Sequence, residues 1–164
     1  MFFDRLIQSW AKTFYVRFTG DTLHVSEVPR GRSLDLPAVI GLRREGSRRR
    51  IIAVGQTAPV EAWDDLVWPF AHERLVVHEF EIAEALLQHS LQLMLGTGIA
   101  IRPRVIIHPL RIFPGGLTDI ERRALRELGE SIGATSITVH EGPALTDSEF
   151  ERRDGYWVPK ARAV

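Results

Sequence analysis

A chain of 164 residues with 45% hydrophobic content is long enough to bury a core and fits one compact domain, or two closely packed subdomains. Its 21 basic residues balance 21 acidic ones, so no global field favours nucleic acid, an anionic membrane or an acidic substrate, and electrostatic binding has to be local. The absence of cysteine excludes disulfides, thiolate nucleophiles and cysteine metal sites. No apolar run approaches the roughly 20 residues needed to span a bilayer, and no secretory signal is apparent.

Phe2, Phe3, Leu6, Ile7 and Trp10 recur at the spacing of one helix face, with Asp4, Arg5, Gln8 and Ser9 on the other, so residues 2–10 predict a short amphipathic helix. Thr13 to Phe18 and Thr22 to Val28 are rich in β-branched and aromatic residues and flank Thr19-Gly20-Asp21, which predicts a hairpin. Pro29 and Gly31 break that pattern. Pro37 to Leu42 and Ile51 to Val54 read as a second pair of strands, joined by a polar stretch whose turn signal is Gly46-Ser47. Gln56 to Glu73 reads as an irregular or short helical connection.

Ile82, Leu86, Leu87, Leu91 and Met94 give a helix over Glu81 to Leu95, stopped by Gly96. Arg104 to His108 is an apolar strand. Thr118 and Glu121 form a capping box, in which a hydroxyl and a carboxylate serve two orphan amides, so a helix starts at Asp119 and ends near Gly133. Ser136 to His140 is another strand. The polar tail after Glu149 has too few apolar residues to build an element. Hairpins followed by helix–strand–helix–strand imply a mixed sheet with helices packed against it.

The run Pro103-Arg104-Val105-Ile106-Ile107, followed by Thr118-Asp119-Ile120-Glu121-Arg122-Arg123-Ala124-Leu125, closely resembles a strand and helix in the first domain of the MreB-like bacterial actins. Leu36-Pro37-Ala38-Val39-Ile40 is similar to a family segment in which proline precedes an apolar strand, and Ala53-Val54-Gly55 to the end of the next. Trp68-Pro69-Phe70 and Val77-His78-Glu79-Phe80 resemble the approach to the long helix, with Glu79 in place of an aspartate. The resemblance runs with interruptions from about Phe14 to Glu149 and covers about the first half of such a protein.

It implies an actin-like, ribonuclease-H-like α/β domain over 13–150, a mixed sheet with flanking helices and a small inserted subdomain at about 30–75. Residues 1–12 are the amphipathic segment and 151–164 the polar tail. It also implies a truncated domain, because much of the family's nucleotide site lies beyond Val164. In the family the first hairpin carries an Asp-x-Gly-Thr phosphate loop, whose carboxylate helps hold magnesium and whose glycine admits phosphate oxygens. The matching stretch here is Val16-Arg17-Phe18-Thr19-Gly20-Asp21.

Val16 cannot serve a metal, and Phe18 is bulky where close backbone approach is wanted, so Thr19, Gly20 and Asp21 read as turn residues of a degenerate loop. In His140-Glu141-Gly142-Pro143, Glu141 stands where the family has a water-positioning glutamate. It is the one catalytic candidate, and the loss of its metal and phosphate partners favours a solvated strand-end carboxylate. Arg43, Arg44, Arg48, Arg49 and Arg50 could bind phosphates but read as a solvated hairpin tip, since no aromatic residues interleave. The histidines show no metal-ligand spacing.

In some MreB-like proteins an N-terminal amphipathic helix attaches to membrane. Phe2, Phe3, Leu6, Ile7 and Trp10 could do so here or could pack on this domain or a partner. The expectation is a non-catalytic protein-interaction module in cell-shape or cytoskeletal organisation, cytoplasmic and facing the inner side of the cell membrane. Its partner would be a full-length MreB-type filament or a second copy, with no cofactor, metal or nucleic acid. The alternative is a residual ATP-binding or ATPase domain completed by a second chain.

Overall fold

A computed structural model describes residues 12–55, 63–96, 102–153 and 156–160. The predicted 2–10 helix lies outside them. The first hairpin pairs β1 (Thr13–Phe18) with β2 (Thr22–Val28), antiparallel, with Thr13 opposite Val28 and Phe18 opposite Leu23. After the cis Val28–Pro29 peptide the chain returns as β3 (Ser33–Pro37), antiparallel to β2. This strand was not anticipated. Pro37 ends it rather than opening the next, a position open to proline because β3 is the sheet's outer strand and needs no further donor there.

The chain then leaves this sheet through buried Ala38 and Val39. It builds a second, three-stranded sheet from β4 (Ile40–Glu45), β5 (Arg48–Val54) and β6 (Asp65–Val67), in the order β5-β4-β6. The polar stretch expected as a connection is thus mostly strand, and the ladder runs to the Gly46-Ser47 turn, where Gly46 adopts φ 65°. β6 replaces part of the irregular connection expected over 56–73.

Helix α1 (Phe80–Leu95) buries Ile82, Leu86, Leu87, Leu91 and Met94, the predicted face. Burying each such side chain contributes about 1.5–3 kcal/mol. Ser90 sits in the same face and remains satisfied because its hydroxyl donates to the Leu86 carbonyl at 2.6 Å. At the helix end the Arg32 guanidinium donates to the carbonyls of Leu93 and Met94, which satisfies acceptors the helix leaves open.

β7 (Arg104–Pro109) lies parallel to β1, and β8 (Ser136–Val139) parallel to β7, giving the order β3-β2-β1-β7-β8. Between them α2 (Asp119–Ser131) begins at the predicted capping box: the Glu121 amide donates to Thr118 Oγ1 and the Thr118 amide to Glu121 Oε2. Both helices pack on one face of the sheet, against Phe14, Val16, Phe18, Leu23, Val25, Val105 and Ile107.

The opposite face has its own cluster of Tyr15, Val28, Ile106, Leu145 and Phe150, with Trp157 against it. A one-turn 3-10 segment at Asp147–Glu149 leads into an antiparallel hairpin, β9 (Phe150–Arg153) and β10 (Tyr156–Pro159). The expectation that the tail builds no element is therefore corrected. Phe150 meets the Tyr15 ring edge-on at 5.6 Å, and the Arg104 guanidinium lies 3.2 Å from the centre of the Tyr156 ring. A few aromatic residues suffice because the sheet supplies the other half of the apolar contact. None of the described helices is long and apolar enough to cross a membrane.

Candidate functional site

β1, β7 and β8 run parallel, and the carboxyl ends of β7 and β8 open onto a cleft of about 480 Å³. Its walls are the segment after β7, Pro109 to Phe113 with Gly116 and Leu117, and the segment after β8, Glu141 to Ala144. Ligands in open α/β sheets bind outside the carboxyl ends of strands, so topology alone marks this place. The cleft is mostly apolar. Ile112 is 92% exposed at its mouth, and Leu110 is half-exposed beside it.

The rim is held from two sides. The Arg111 guanidinium donates to the carbonyls of His72 and Leu75 and lies over the Phe113 ring at 4.3 Å. On the other wall Glu141 accepts from the Leu117 amide at 2.9 Å and from Arg122 Nε at 2.8 Å, while Arg122 also reaches Asp119. Gly116, at φ 77°, leaves room for this: a Cβ there would lie 3.2 Å from Glu141 Oε2. Glu141 is a brace between β8 and the start of α2, with both oxygens engaged, rather than a simply solvated strand-end group.

Burial works to raise the Glu141 pKa, but the Leu117 amide, the Arg122 hydrogen bond and the charges of Arg122 and His140 outweigh it, so the carboxyl sits below its ordinary value of 4.5. A depressed carboxylate stabilises the fold above its unfolded pKa, and that contribution disappears as pH falls through the folded one. Glu141→Gln is therefore expected to lower the urea midpoint at neutral pH. The gap to the wild type should close below the ordinary carboxylate range, a small effect because the site is partly solvated. A pH-independent gap would show that the ionised form contributes nothing.

Beneath the Gly142–Leu145 segment lies a buried polar network. His108 Nε2 donates to the Gly142 carbonyl at 2.9 Å, so Nδ1 of the neutral ring accepts from the Tyr15 hydroxyl at 2.6 Å. That hydroxyl also accepts from the Leu145 amide at 3.0 Å. His140 packs edge-on to His108 and donates to the Pro143 carbonyl.

The β1–β2 turn is built differently from the cleft walls. Val16 is fully buried in the core, and Phe18 stacks on Phe70 at 4.0 Å between ring centres. The Thr19 hydroxyl donates to the Asp21 carboxylate and accepts from the Thr22 amide. A Cβ on Gly20 would come within 3.3 Å of the Ala71 backbone, so this glycine serves packing of the turn against residues 70–71. Phe2, Phe3, Leu6, Ile7 and Trp10 lie outside the described residues. Among those described, no three histidine or carboxylate side chains come together as metal ligands.

Sequence reasoning brought Glu141 forward but missed Arg122, Leu110, Ile112 and the Tyr15–His108 pair. An apolar pair separated by a charge, lying between a strand end and a helix cap, was the available signal for Leu110 and Ile112. A lone histidine within an apolar strand was the signal for the last.

A model of the MreB/Mbl protein family matches residues 22–146. The cell shape-determining protein Mbl of Bacillus subtilis (strain 168) is 26% identical over 119 residues, covering 71% of this chain and 34% of the relative. The cell shape-determining protein MreB of Haemophilus influenzae is 29% identical over 119 residues, covering 69% and 33%. The chain thus spans about a third of the length of the curated relatives it matches. Among solved structures, MreB5 of Spiroplasma citri bound to ADP superposes with a TM-score of 0.59 at 18% identity, over 81% of this chain and 39% of that one. The MamK double helical filament gives 0.57 at 17%, over 77% and 40%. At these identities the two structures speak for the fold alone.

Proposed function

The chain belongs to the MreB/Mbl family and has its α/β actin-like fold, and from that premise we propose that it is a non-catalytic protein-interaction module in cytoskeletal or cell-shape organisation. The observation that carries this reading is the Phe18–Phe70 stack beneath the β1–β2 turn. A phosphate-binding turn needs open backbone amides and a carboxylate for the metal. Here the turn packs on residues 70–71, its threonine hydroxyl is spent within the turn, and Val16 lies in the core. These residues do not fit a nucleotide phosphate.

Partner binding is supported by the apolar mouth of the cleft, since exposed apolar surface rimmed by polar groups marks interaction sites. A relative solved as a filament supports an actin-like subunit, or a second copy, as the partner, which the chain would meet in the cytoplasm. The N-terminal segment Phe2 to Trp10 would bring it to the inner membrane face. The cleft's position at the carboxyl ends of two parallel strands, β7 and β8, favours the second reading, a nucleotide-binding half completed by another chain; the turn's packing weighs against it.

The test is biolayer interferometry of the purified chain against the full-length MreB-type protein of the same cell, with a Phe2-to-Trp10 deletion and Ile112→Asp alongside. Saturable binding that survives the deletion and weakens about tenfold in Ile112→Asp is expected, the size of losing one apolar anchor. Absence of binding at any attainable concentration would overturn the reading. A magnesium-dependent thermal shift with ATP would instead support the second one.

A further inference from the structure

Across the β4–β5 ladder Arg43 stands opposite Arg50 and Arg44 opposite Arg49. Like charges directly opposite one another weaken a hairpin, so these pairs do nothing for folding by themselves. The two faces of the ribbon treat them differently. On the Leu42–Ile51 face, Arg44 pairs with Asp65 at 2.8 Å and Arg49 with Glu79 at 3.3 Å. On the other face, where Arg43 has a contact of its own, Arg48 and Arg50 stand with a single hairpin carboxylate, Glu45, 3.3 Å from Arg50. That face keeps an excess of positive charge on an otherwise neutral chain.

β5 is also the end strand of its sheet, so among the described residues no strand pairs with its outer edge, and Arg48 to Ile51 are exposed along it. An open edge is a template for another strand. Its charge selects which one: a second copy would bring arginine row against arginine row, whereas an acidic strand would meet the guanidinium groups of Arg48 and Arg50 on the face that keeps the excess.

We propose that the outer edge of β5 is a docking strand for an extended acidic polypeptide. Carboxylates at alternate positions would fall beside Arg48 and Arg50, because residues two apart share a strand face, and backbone hydrogen bonds along the edge would supply the register. This deepens the protein-binding reading by naming the partner's chemistry. It is tested on a surface separate from Ile112, so either can fail alone.

The experiment is fluorescence anisotropy of the full chain with a labelled heptapeptide alternating glutamate with valine or threonine. A peptide of the same charge interrupted by prolines is the control. Saturable binding is expected, weakening as salt rises and roughly tenfold weaker in Arg48→Ser/Arg50→Ser, with the proline peptide failing because it cannot pair along an edge. Amide hydrogen exchange on the wild-type chain should show new protection along Arg48 to Ile51, a readout independent of whether the variant folds. Equal binding of the proline peptide, indifference to the arginine substitutions, or preference for phosphatidylglycerol vesicles or duplex DNA would each overturn the proposal.

Discussion

Tyr15→Phe is expected to lower the unfolding free energy by about 1–3 kcal/mol, although it removes a single atom. The hydroxyl is the hub of a buried network: it donates to His108 Nδ1 at 2.6 Å and accepts from the Leu145 amide at 3.0 Å. Tyr15 is 2% exposed and His108 fully buried, so water cannot replace the lost partner without opening the structure. Phenylalanine fills the same apolar space and keeps the edge-on contact with Phe150, so the loss is polar rather than steric. It should fall on the segment that forms one wall of the cleft, and amide exchange at Leu145 should rise with the drop in stability.

The two ends of that network should also be non-additive. In a His108→Leu background one of the two stranded groups is already gone, so Tyr15→Phe should cost less there than in the wild type, with a coupling of about 0.5–3 kcal/mol. Urea unfolding of the four proteins measures it. A Tyr15→Phe variant within about 0.5 kcal/mol of the wild type, the range of ordinary surface changes, would mean that the buried network contributes nothing net.

Where periodicity and caps act locally, the sequence was legible. The α1 face, the Thr118–Glu121 box and the β1–β2 hairpin need only neighbours within a few residues, and each was found at the predicted place. β3, β6 and the β9–β10 hairpin were illegible because their stability is lent by another element. Ser33–Pro37 carries only two apolar side chains and is a strand because β2 offers it an edge. The tail forms a hairpin because Tyr15 and Arg104 wait under Phe150 and Tyr156.

The site divides in the same way. That Val16 and Phe18 are wrong for phosphate could be read from residue type, but that Phe18 finds a partner in Phe70 required the fold. Glu141 was recognised by its place in a motif, while its work as a brace depends on Arg122 and Leu117, nineteen or more residues away. The Ile112 knob follows a strand end, and only the fold shows that it stands at the mouth of a cleft.

Gly129→Ala should test how closely α2 presses on the sheet, and its sign should depend on one other side chain. Alanine in place of glycine inside a helix ordinarily stabilises by about 0.8–1 kcal/mol. Here a Cβ would stand 2.5 Å from Ile137 Cγ1 and 2.9 Å from Cγ2, so either the β8 side chain leaves its packing or the helix lifts off. Such overpacking costs typically about 1–3 kcal/mol, more than the helix gains, and the net expectation is destabilisation. Ile137→Ala removes both colliding carbons and leaves Cβ at 3.3 Å. In that background Gly129→Ala should turn stabilising by up to about 1 kcal/mol, a reversal that denaturant unfolding of the four proteins would show directly. If Gly129→Ala stabilised both backgrounds, the helix would have room to spare over β8. The glycine would then be a weak spot in α2 rather than the contact that sets its distance from the sheet.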